Sequence, residues 1–561
     1  MLETSKRMEK GVRGIPKVRQ VFARQFFDEL AERVQGNKRL PTWEGELYFE
    51  YHRGTYTSMA RNKRSNRKSE LRLMDLELLG VLAAPQLAYP VQQLDRMWKN
   101  VLLNQFHDIL PGTSIHEVYE VTKKEYAAIA EEVETLTRER LQSLTPQGDG
   151  VTVFNTTGKL RSDVVKLGTC DAAALTDETG AVYPVQQTAE GAVAFLPALP
   201  AKGFKTFAKA ESSAAKTMQR SGNVLETPFY RVTVDEEGLF TSLFDRKNNR
   251  EVVKPGERIN LMRVYEDKPI YYDNWDIDCY YTEKFWDVTD LQHMEWTEMG
   301  PVRATLELER HFSNSQIRQR IHFYADCPRI DFETQVDWKE HQHLLKVHFP
   351  VDLHSDEATF DIQFGNVTRK THFNTSWDQA RFESCGQKWI DVSEGHYGVS
   401  LLNDCKYGHS VHDGNMAITL IKSGIEPNPT TDQEQHVFTY AVYPHAETWR
   451  SAETVAQAYF LNQPAYSVNG GAAGKVFSLA SVDAKNVIVE TIKQAEDGDG
   501  VIVRMYECEN ARTQASLTWN RPITSVQECN LLEEPQEELV AEENQIPFTI
   551  LPYEIKTFRI R

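Results

Sequence analysis

The residues best suited to chemistry lie in the segment VLLNQFHDILPGTSIHEVYE at 101–120. His107 and Asp108 stand side by side where an apolar helix reaches Pro111 and Gly112, and polar side chains at such a junction can converge on a cleft. An imidazole there can ligate a metal ion, with the Asp fixing its tautomer or lining the site. The alternative is a structural core histidine followed by a helix-ending Asp. A zinc site needs three or four ligands, and this segment offers one or two.

A second polar segment, ELYFEYHRGTYTS, crowds charged groups among aromatic rings. Aromatic walls combined with carboxylates and cations are typical of sugar-binding sites. We therefore predict that Arg53 and Tyr56 bind substrate and that Glu50 or His52 is a general acid/base. A strand end stabilised by a salt bridge is the structural alternative for the same residues.

Two further segments are too polar to form the core of a β-sheet, YYDNWDIDCYY at 271–281 and HYGVSLLNDCKYGHSV at 396–411. Acidic side chains alternate with aromatic ones in the first, and a polar turn follows an apolar strand in the second. Both are typical of loops that line a carbohydrate cleft, and well-bonded surface turns are the alternative. The residues predicted to contact a sugar are Asp276, Asn403, Asp404, Lys406 and Tyr407.

The spacing of apolar residues divides the chain into a helical and a β part. Apolar residues recur every three or four positions over 59–145, which predicts a three-helix bundle. Ser114 and Glu117 are predicted to form a capping box at the start of its last helix. Later, short alternating strands are separated by turns. We predict a large β-sandwich domain over 150–465 and a small β-sandwich over 470–561.

Composition argues against several classes of function. A formal net charge of −18 opposes binding to nucleic acid or to an anionic membrane. No apolar run is long enough to span a membrane, and seven dispersed cysteines favour a reduced, cytoplasmic protein. The segment 52–72 is a local exception, because it has seven Lys/Arg and the single acid Glu70. It is either a solvated cationic helix face or a site for an anionic sugar or phosphate.

Several long motifs together resemble one family. They are GELYFEYHRGTYTS with RNKRSNR after it, LLNQFHDILPGTSI, YEDKPIYYDNWDID, GVSLLNDCKYGHSV and PNPTTDQEQHVFTYAVYPH. In this order they resemble the retaining, zinc-dependent α-mannosidases of glycoside hydrolase family 38, in the bacterial cytoplasmic branch that includes mannosylglycerate hydrolases. The resemblance extends over essentially the whole chain. It implies a cytoplasmic glycosidase for α-mannosides of the oligosaccharide or mannosylglycerate type.

The resemblance also implies roles for candidate residues. The His of the family's QxHD motif is a zinc ligand, and the zinc holds two hydroxyls of the mannose that is cleaved. His107 is therefore expected to bind one zinc ion, and Asp108 is expected to border the same sugar. The HRGTYT motif lies near the acid/base position of relatives, which keeps Glu50 and His52 as candidates. The NDCKYG turn is similar to a loop that reaches the sugar from the β domain.

One part of the family pattern is not found in this sequence. Family members begin with a catalytic α/β barrel that carries a His-x-Asp zinc pair and an Asp serving as both zinc ligand and nucleophile. Residues 1–58 resemble only a C-terminal remnant of that barrel. The expected fold class is α+β multidomain, with a barrel remnant, a three-helix bundle and large all-β sandwich domains.

This difference predicts little or no mannosidase activity for the chain alone. Retaining hydrolysis needs a nucleophilic carboxylate about 5–5.5 Å from the acid/base carboxyl. The expected partners are an α-mannoside and the missing barrel part as a separate chain, and an exposed barrel remnant favours self-association or a homo-oligomer. The alternatives are a non-catalytic carbohydrate-binding or assembly module and a lectin-like binder that uses the β-sandwiches alone.

Overall fold

The computed structural model describes residues 2–211 and 218–561. Contacts within the chain divide it into two units, residues 1–49 and residues 50–561. Among the described residues, no helix is long and apolar enough to cross a membrane.

The first unit contains two helices, α1 (Leu2–Glu9) and α2 (Ala23–Val34). No residue of either helix is buried. The aromatic side chains of Phe22, Phe26 and Phe27 are each more than half exposed. A helix gains most of its stability by packing its apolar face, and the apolar face of α2 is not covered within this unit. The assignment of residues 1–58 to a barrel stays a prediction.

The second unit begins with three helices, α3 (Ala60–Ala83), α4 (Val91–Asn104) and α5 (His116–Leu144). Apolar residues spaced three and four positions apart face a shared core, as amphipathic helices require. The core side chains are Leu73, Leu76, Leu94, Met97, Val101, Tyr126, Ile129 and Val133. The predicted three-helix bundle is confirmed.

The third helix of the bundle begins differently from the prediction. Its N-cap residue is Ile115, which has no side-chain cap, so the predicted capping box of Ser114 and Glu117 is wrong. The Ser114 hydroxyl instead donates to the Asp108 carbonyl oxygen at 2.8 Å, and the Ser114 N–H donates to the Tyr119 hydroxyl at 3.0 Å. The tight loop before the helix uses the hydroxyl that a capping box would need.

The β part begins with two antiparallel sheets. Their strands in chain order are β1 (Val151–Asn155), β2 (Arg161–Gly168), β3 (Ala174–Thr176), β4 (Val182–Thr188), β5 (Gly191–Leu199), β6 (Gly203–Ala210), β7 (Gln219–Ser221), β8 (Val224–Glu226), β9 (Tyr230–Val234), β10 (Phe240–Asp245) and β11 (Arg250–Glu251). The first sheet has the order β2-β5-β4-β3-β6-β1, and the second has the order β11-β10-β9-β8-β7.

The next strands form the largest sandwich. They are β12 (Leu261–Glu266), β13 (Phe285–Asp287), β14 (Asp290–Met299), β15 (Arg303–Phe312), β16 (Ser315–Tyr324), β17 (Ile330–Asp337), β18 (His343–Pro350), β19 (Glu357–Ile362), β20 (Gly365–Lys370), β21 (Ser384–Cys385), β22 (Trp389–Glu394), β23 (Tyr397–Asn403), β24 (Gly408–His412), β25 (Asn415–Lys422) and β26 (Gln435–Ala446), with the short helix α6 (Ser376–Ala380) between β20 and β21. A nine-stranded sheet, β14-β15-β16-β17-β26-β23-β22-β19-β20, and a six-stranded sheet, β13-β12-β18-β25-β24-β21, share one apolar core.

The chain ends with helix α7 (Thr454–Asn462) and a small sandwich. The last strands are β27 (Tyr466–Asn469), β28 (Val476–Ser478), β29 (Ala480–Val482), β30 (Val487–Gln494), β31 (Val501–Glu507), β32 (Thr513–Trp519), β33 (Val526–Cys529), β34 (Pro535–Leu539), β35 (Gln545–Ile550) and β36 (Ile555–Ile560). Strands β27 and β28 pair with β1 and β6 and complete the first sheet. The others form sheets β29-β32-β35 and β30-β31-β36-β33-β34.

The small sandwich packs against the C-terminal half of α3. Leu78, Leu79, Val81 and Leu82 belong to the same apolar core as its strands. The three helices of the bundle thus precede in sequence the all-β domains, one of which packs on them, and this confirms the predicted α+β multidomain class. Because α3 is anchored at this end, its first turns can present side chains to the loops described next.

Candidate functional site

The loop between α4 and α5, which contains the His107–Asp108 pair, has a tightly fixed backbone. The Asp108 carbonyl oxygen accepts hydrogen bonds from the Thr113 N–H at 3.2 Å, the Ser114 hydroxyl at 2.8 Å and the Tyr119 hydroxyl at 3.3 Å. Gly112 has a φ of +92°, and a Cβ there would lie 2.3 Å from the Ser58 carbonyl oxygen. Only glycine combines that dihedral with that space.

The side chains of His107 and Asp108 lie together on the surface of this loop. The His107 Nε2 is 3.3 Å from the Asp108 carboxylate, and the two side chains are 77% and 48% exposed. The Phe106 ring packs on the imidazole with 4.2 Å between ring centroids. His107 is therefore not the core histidine of the structural alternative. A rigid backbone carrying two accessible polar groups is suited to binding a ligand.

Lys63 on α3 holds the same loop from inside. Its ammonium group donates to the carbonyl oxygens of Leu110 at 2.8 Å and Pro111 at 3.1 Å, and also to that of Ser58. Burial lowers the pKa of Lys63, and the carboxylate of Asp432 opposes that effect. Three carbonyl acceptors use all three protons of an ammonium group, so the bonding pattern requires the charged form.

Arg53 and Asp276, both predicted to bind substrate, are brought together by the fold. The Arg53 N–H donates to the Asp276 carboxylate at 3.3 Å, and its guanidinium lies 3.7 Å from the same group. The guanidinium also donates to the Ala380 carbonyl oxygen at 2.8 Å. Both residues are buried. The pair therefore fixes segment 53–58 against the loop that follows β12, and direct contact with a sugar stays a prediction.

The two acid/base candidates and Tyr56 lie at the start of the second unit. Glu50 and His52 are exposed, and His52 has a left-handed φ of 65°. The His52 carbonyl oxygen accepts the N–H of Thr55 at 3.2 Å. Exposed groups of this kind can reach a ligand, and their acid/base role stays a prediction.

The NDCKYG turn contacts α3 through Arg67. The Asn403 side-chain oxygen accepts the guanidinium of Arg67 at 2.9 Å and the Lys406 N–H at 2.7 Å. Arg67 also donates to the Tyr407 hydroxyl at 3.0 Å. Asp404 pairs with Lys68 on the same helix at 3.0 Å. Asn403, Asp404 and Lys406 are buried, so this arrangement anchors α3, and a role for these residues in substrate binding stays a prediction.

A cavity of about 470 Å³ lies between α3, the His107 loop and the large sandwich. Tyr56 and Tyr407 line it together with Glu70 and Gln105. The Gln105 side chain donates to the Glu70 carboxylate at 2.6 Å, and burial raises the pKa of Glu70. Glu70 and Gln105 were not predicted as site residues from the sequence. The available signal was that Glu70 is the single acid in a basic segment.

The described residues do not by themselves fit a zinc ion. No group of three or more His, Cys, Asp or Glu side chains within 2–211 and 218–561 is arranged to hold a metal. His107 and Asp108 offer two donors at most, and zinc needs three or four protein ligands. The site is therefore a rigid loop with accessible polar groups beside a cavity.

Three profiles of one enzyme family match this chain. Residues 50–144 match the profile described as "Alpha mannosidase middle domain", which covers the helix bundle. Residues 225–430 match "Glycosyl hydrolases family 38 C-terminal domain". Residues 486–558 match "Glycosyl hydrolases family 38 C-terminal beta sandwich domain".

Curated relatives are similar over nearly the whole chain. Alpha-mannosidase 2C1 of Homo sapiens is 33% identical over 571 residues, which cover 99% of this chain and 54% of the human protein. Alpha-mannosidase G of Dictyostelium discoideum is 32% identical over 618 residues, which cover 98% of this chain and 55% of that protein. The chain thus spans about half the length of the curated relatives it matches.

A solved structure supports the same fold. The alpha-mannosidase from Enterococcus faecalis V583 superposes with a TM-score of 0.78 at 18% identity, over 95% of this chain and 72% of that one. Because the matched profiles follow in the order in which the bundle and sandwiches occur, fold and sequence lead to one assignment. The chain belongs to glycosyl hydrolase family 38 and contains its middle domain and its two C-terminal domains.

Proposed function

We propose that these 561 residues form the middle and C-terminal part of a retaining α-mannosidase whose nucleophile and remaining zinc ligands lie outside this sequence. The observation that carries the proposal is the His107–Asp108 pair. Both side chains are accessible and lie 3.3 Å apart on a loop whose backbone is fixed by hydrogen bonds to the Asp108 carbonyl oxygen. This loop occurs in a chain similar to two α-mannosidases over nearly all of its length.

In this proposal His107 supplies one zinc ligand, and Asp108 borders the mannose. Glu50 and His52 are the acid/base candidates within this chain, because both are exposed near the segment that docks on the Asp276 loop. Tyr56 and Tyr407 line the adjacent cavity, where they can contact the substrate. The substrate is an α-mannoside of the oligosaccharide or mannosylglycerate type, and the enzyme acts in the cytoplasm.

Hydrolysis of 4-nitrophenyl α-mannoside tests the proposal. We expect no turnover by the 561-residue chain with or without added zinc. We expect turnover when the chain is joined to the part of the human relative that it does not match. In that joined protein, His107→Ala should abolish turnover, and His293→Ala, at an exposed histidine on β14, should leave it unchanged.

Two outcomes would contradict the proposal. Turnover by the 561-residue chain alone, lost in His107→Ala, would place the nucleophile within this sequence. Turnover of the joined protein that persists in His107→Ala would remove His107 from the site. Retention of the 561-residue chain on immobilised mannan without zinc would favour the alternative, a non-catalytic carbohydrate-binding module.

We further propose that a catalytic α/β barrel packs against these 561 residues. The barrel is either a separate polypeptide or part of the same polypeptide. Large apolar side chains are exposed in each unit, among them Phe22 and Phe27 in the first unit and Leu103, Ile270 and Tyr271 in the second. Exposed apolar surface of this kind favours association with another protein or with a second copy. Sedimentation velocity of the isolated chain should therefore show oligomers, and a strictly monomeric chain at micromolar concentration would contradict this.

A further inference from the structure

Three cations of α3 line a cleft of about 500 Å³ between α3, α5 and the segment after α7. Arg64, Lys68 and Arg72 are four residues apart, so they share one face of the helix. Like charges at this spacing destabilise a helix. An anion bound near this face would reduce the repulsion between the three cations. Lys63 binds the His107 loop, and Arg67 and Lys68 bind the NDCKYG turn, whereas Arg64 and Arg72 bind neither.

Only one of the three cations has an ion-pair partner within the described ranges. Lys68 lies 3.0 Å from the Asp404 carboxylate. Arg64 and Arg72 form no hydrogen bond or ion pair with any described residue, and the Arg64 Nε is enclosed without an acceptor. A buried donor without an acceptor is costly. The enclosed Arg64 Nε therefore lacks an acceptor that a ligand can supply, and the exposed Arg72 adds a second unpaired cation to the lining of the cleft.

The other charged groups of the cleft leave this excess of positive charge in place. The Asp404 carboxylate already pairs with Lys68. Asp75 accepts hydrogen bonds from Gln463 at 2.9 Å and Tyr466 at 2.8 Å. Burial raises the pKa of Asp75. Lys166, a fourth cation of the lining, pairs with Glu190 in the β4–β5 turn and with Glu333 on β17. The cleft therefore keeps the positive charge of Arg64 and Arg72, although the chain as a whole has a net charge of −18.

We propose that this cleft binds a phosphate dianion through Arg64 and Arg72, either as inorganic phosphate or as the phosphomonoester of a sugar-sized molecule. Two unpaired guanidinium groups balance the charge of a phosphate near pH 7, and arginine suits bidentate binding to its oxygens. Ser65 and Ser69 line the same cleft. The volume falls within the range of small-molecule sites.

The proposal is independent of the proposed function. No residue that lines this cleft also lines the cavity beside the His107 loop. A second depression of about 380 Å³ shares Arg64 and Ser65 with the cleft and adds Lys123. It extends the positive surface along α3 and α5, where the remainder of a phosphomonoester can lie.

Isothermal titration calorimetry of the full 561-residue chain tests the proposal with three probes: inorganic phosphate, mannose 6-phosphate and neutral mannose. Sodium chloride is held at one ionic strength throughout. We expect saturable binding of inorganic phosphate at millimolar or lower concentration, and Arg64→Gln/Arg72→Gln should weaken it by about tenfold or more. The control Lys124→Gln/Arg138→Gln removes two charges from exposed positions of α5 and should leave binding unchanged.

The probes also identify the source of the phosphate group. Mannose 6-phosphate binding at least about tenfold tighter than inorganic phosphate would support a phosphomonoester ligand. Equal affinities would support the free anion. Saturable phosphate binding that is the same in Arg64→Gln/Arg72→Gln and in the control would overturn the proposal. No saturable heat with any phosphate probe, from a chain whose melting temperature shows that it is folded, would also overturn it.

Discussion

Asp432 caps helix α3 across 372 residues of sequence. Its carboxylate accepts the N–H of Met59 at 2.8 Å and the N–H of Ala60 at 2.7 Å. Burial and the nearby Glu434 raise the pKa of Asp432, while these hydrogen bonds and Lys63 favour its ionised form. The cap therefore connects the loop before β26 to the helix whose Lys63 holds the His107 loop.

Replacing Asp432 should destabilise the second unit, and the loss should be larger when both the hydrogen-bond acceptors and the negative charge are removed than when only the charge and one acceptor are removed. We expect Asp432→Asn to cost about 1–2 kcal/mol, because one amide oxygen replaces two carboxylate acceptors at a helix N-terminus. Asp432→Ala should cost about 3 kcal/mol or more, because it also leaves Lys63 buried without a counter-charge. Urea unfolding followed by tryptophan fluorescence measures both costs.

The matched control for this cap is Asp95→Asn on the exposed face of α4, where the expected change is within about 0.5 kcal/mol. A cost for Asp432→Ala that equals the cost for Asp95→Asn would show that the cap does not stabilise α3.

Gly112→Ala should be far more destabilising than an ordinary substitution at a left-handed glycine. A Cβ at Gly112 would lie 2.3 Å from the Ser58 carbonyl oxygen, which belongs to backbone and cannot move freely. Gly180 has a φ of +82°, and a Cβ added there would have no other atom within 4 Å. We expect about 1 kcal/mol for Gly180→Ala and at least about 3 kcal/mol for Gly112→Ala. Differential scanning calorimetry compares the two, and equal shifts in melting temperature would show that the loop tolerates displacement.

The effects of His107→Ala and Asn403→Ala on stability should differ, because the His107 side chain is accessible and the Asn403 side chain is part of the buried structure. His107 is 77% exposed on its side chain, so its removal should change stability by less than about 0.5 kcal/mol. Asn403 is buried and accepts a hydrogen bond from a charged guanidinium, so its removal should cost about 2–3 kcal/mol. Thermal unfolding of both variants measures this difference. A destabilised His107→Ala variant would mean that the imidazole supports the loop.

The sequence predicted the helix bundle and the β domains well because periodicity reports local burial. It predicted less about the NDCKYG turn. Polar residues in a turn look the same in sequence whether water or a distant side chain satisfies them, and the partner of Asn403 is Arg67, 336 residues away. The capping box at Ser114 was wrong for a related reason, because the Asp108 carbonyl competes for the same hydroxyl. Local patterns specify which elements form, and long-range hydrogen bonds decide which polar groups remain available.

Glu77 should make the stability of the second unit depend on pH. Its carboxylate accepts the Trp98 indole N–H at 2.9 Å where α3 and α4 meet the small sandwich, and burial raises its pKa to about 7. A carboxyl whose pKa is higher in the folded than in the unfolded state binds more protons when folded. Its stabilisation is complete below the unfolded pKa of 4.5 and is lost as pH rises through about 7.

The expected loss between pH 4.5 and pH 8 is about 3 kcal/mol, from the size of this pKa difference. Glu77→Gln keeps an oxygen for the Trp98 indole and cannot ionise, so its unfolding free energy should fall by about 3 kcal/mol less over this range than that of the unsubstituted chain. Glu134→Gln, at an exposed position of α5, should retain the pH dependence. Urea unfolding at pH 5 and pH 8 measures the three proteins. If Glu77→Gln and Glu134→Gln lose stability equally over this range, the dependence comes from other groups and Glu77 is ionised in the folded protein.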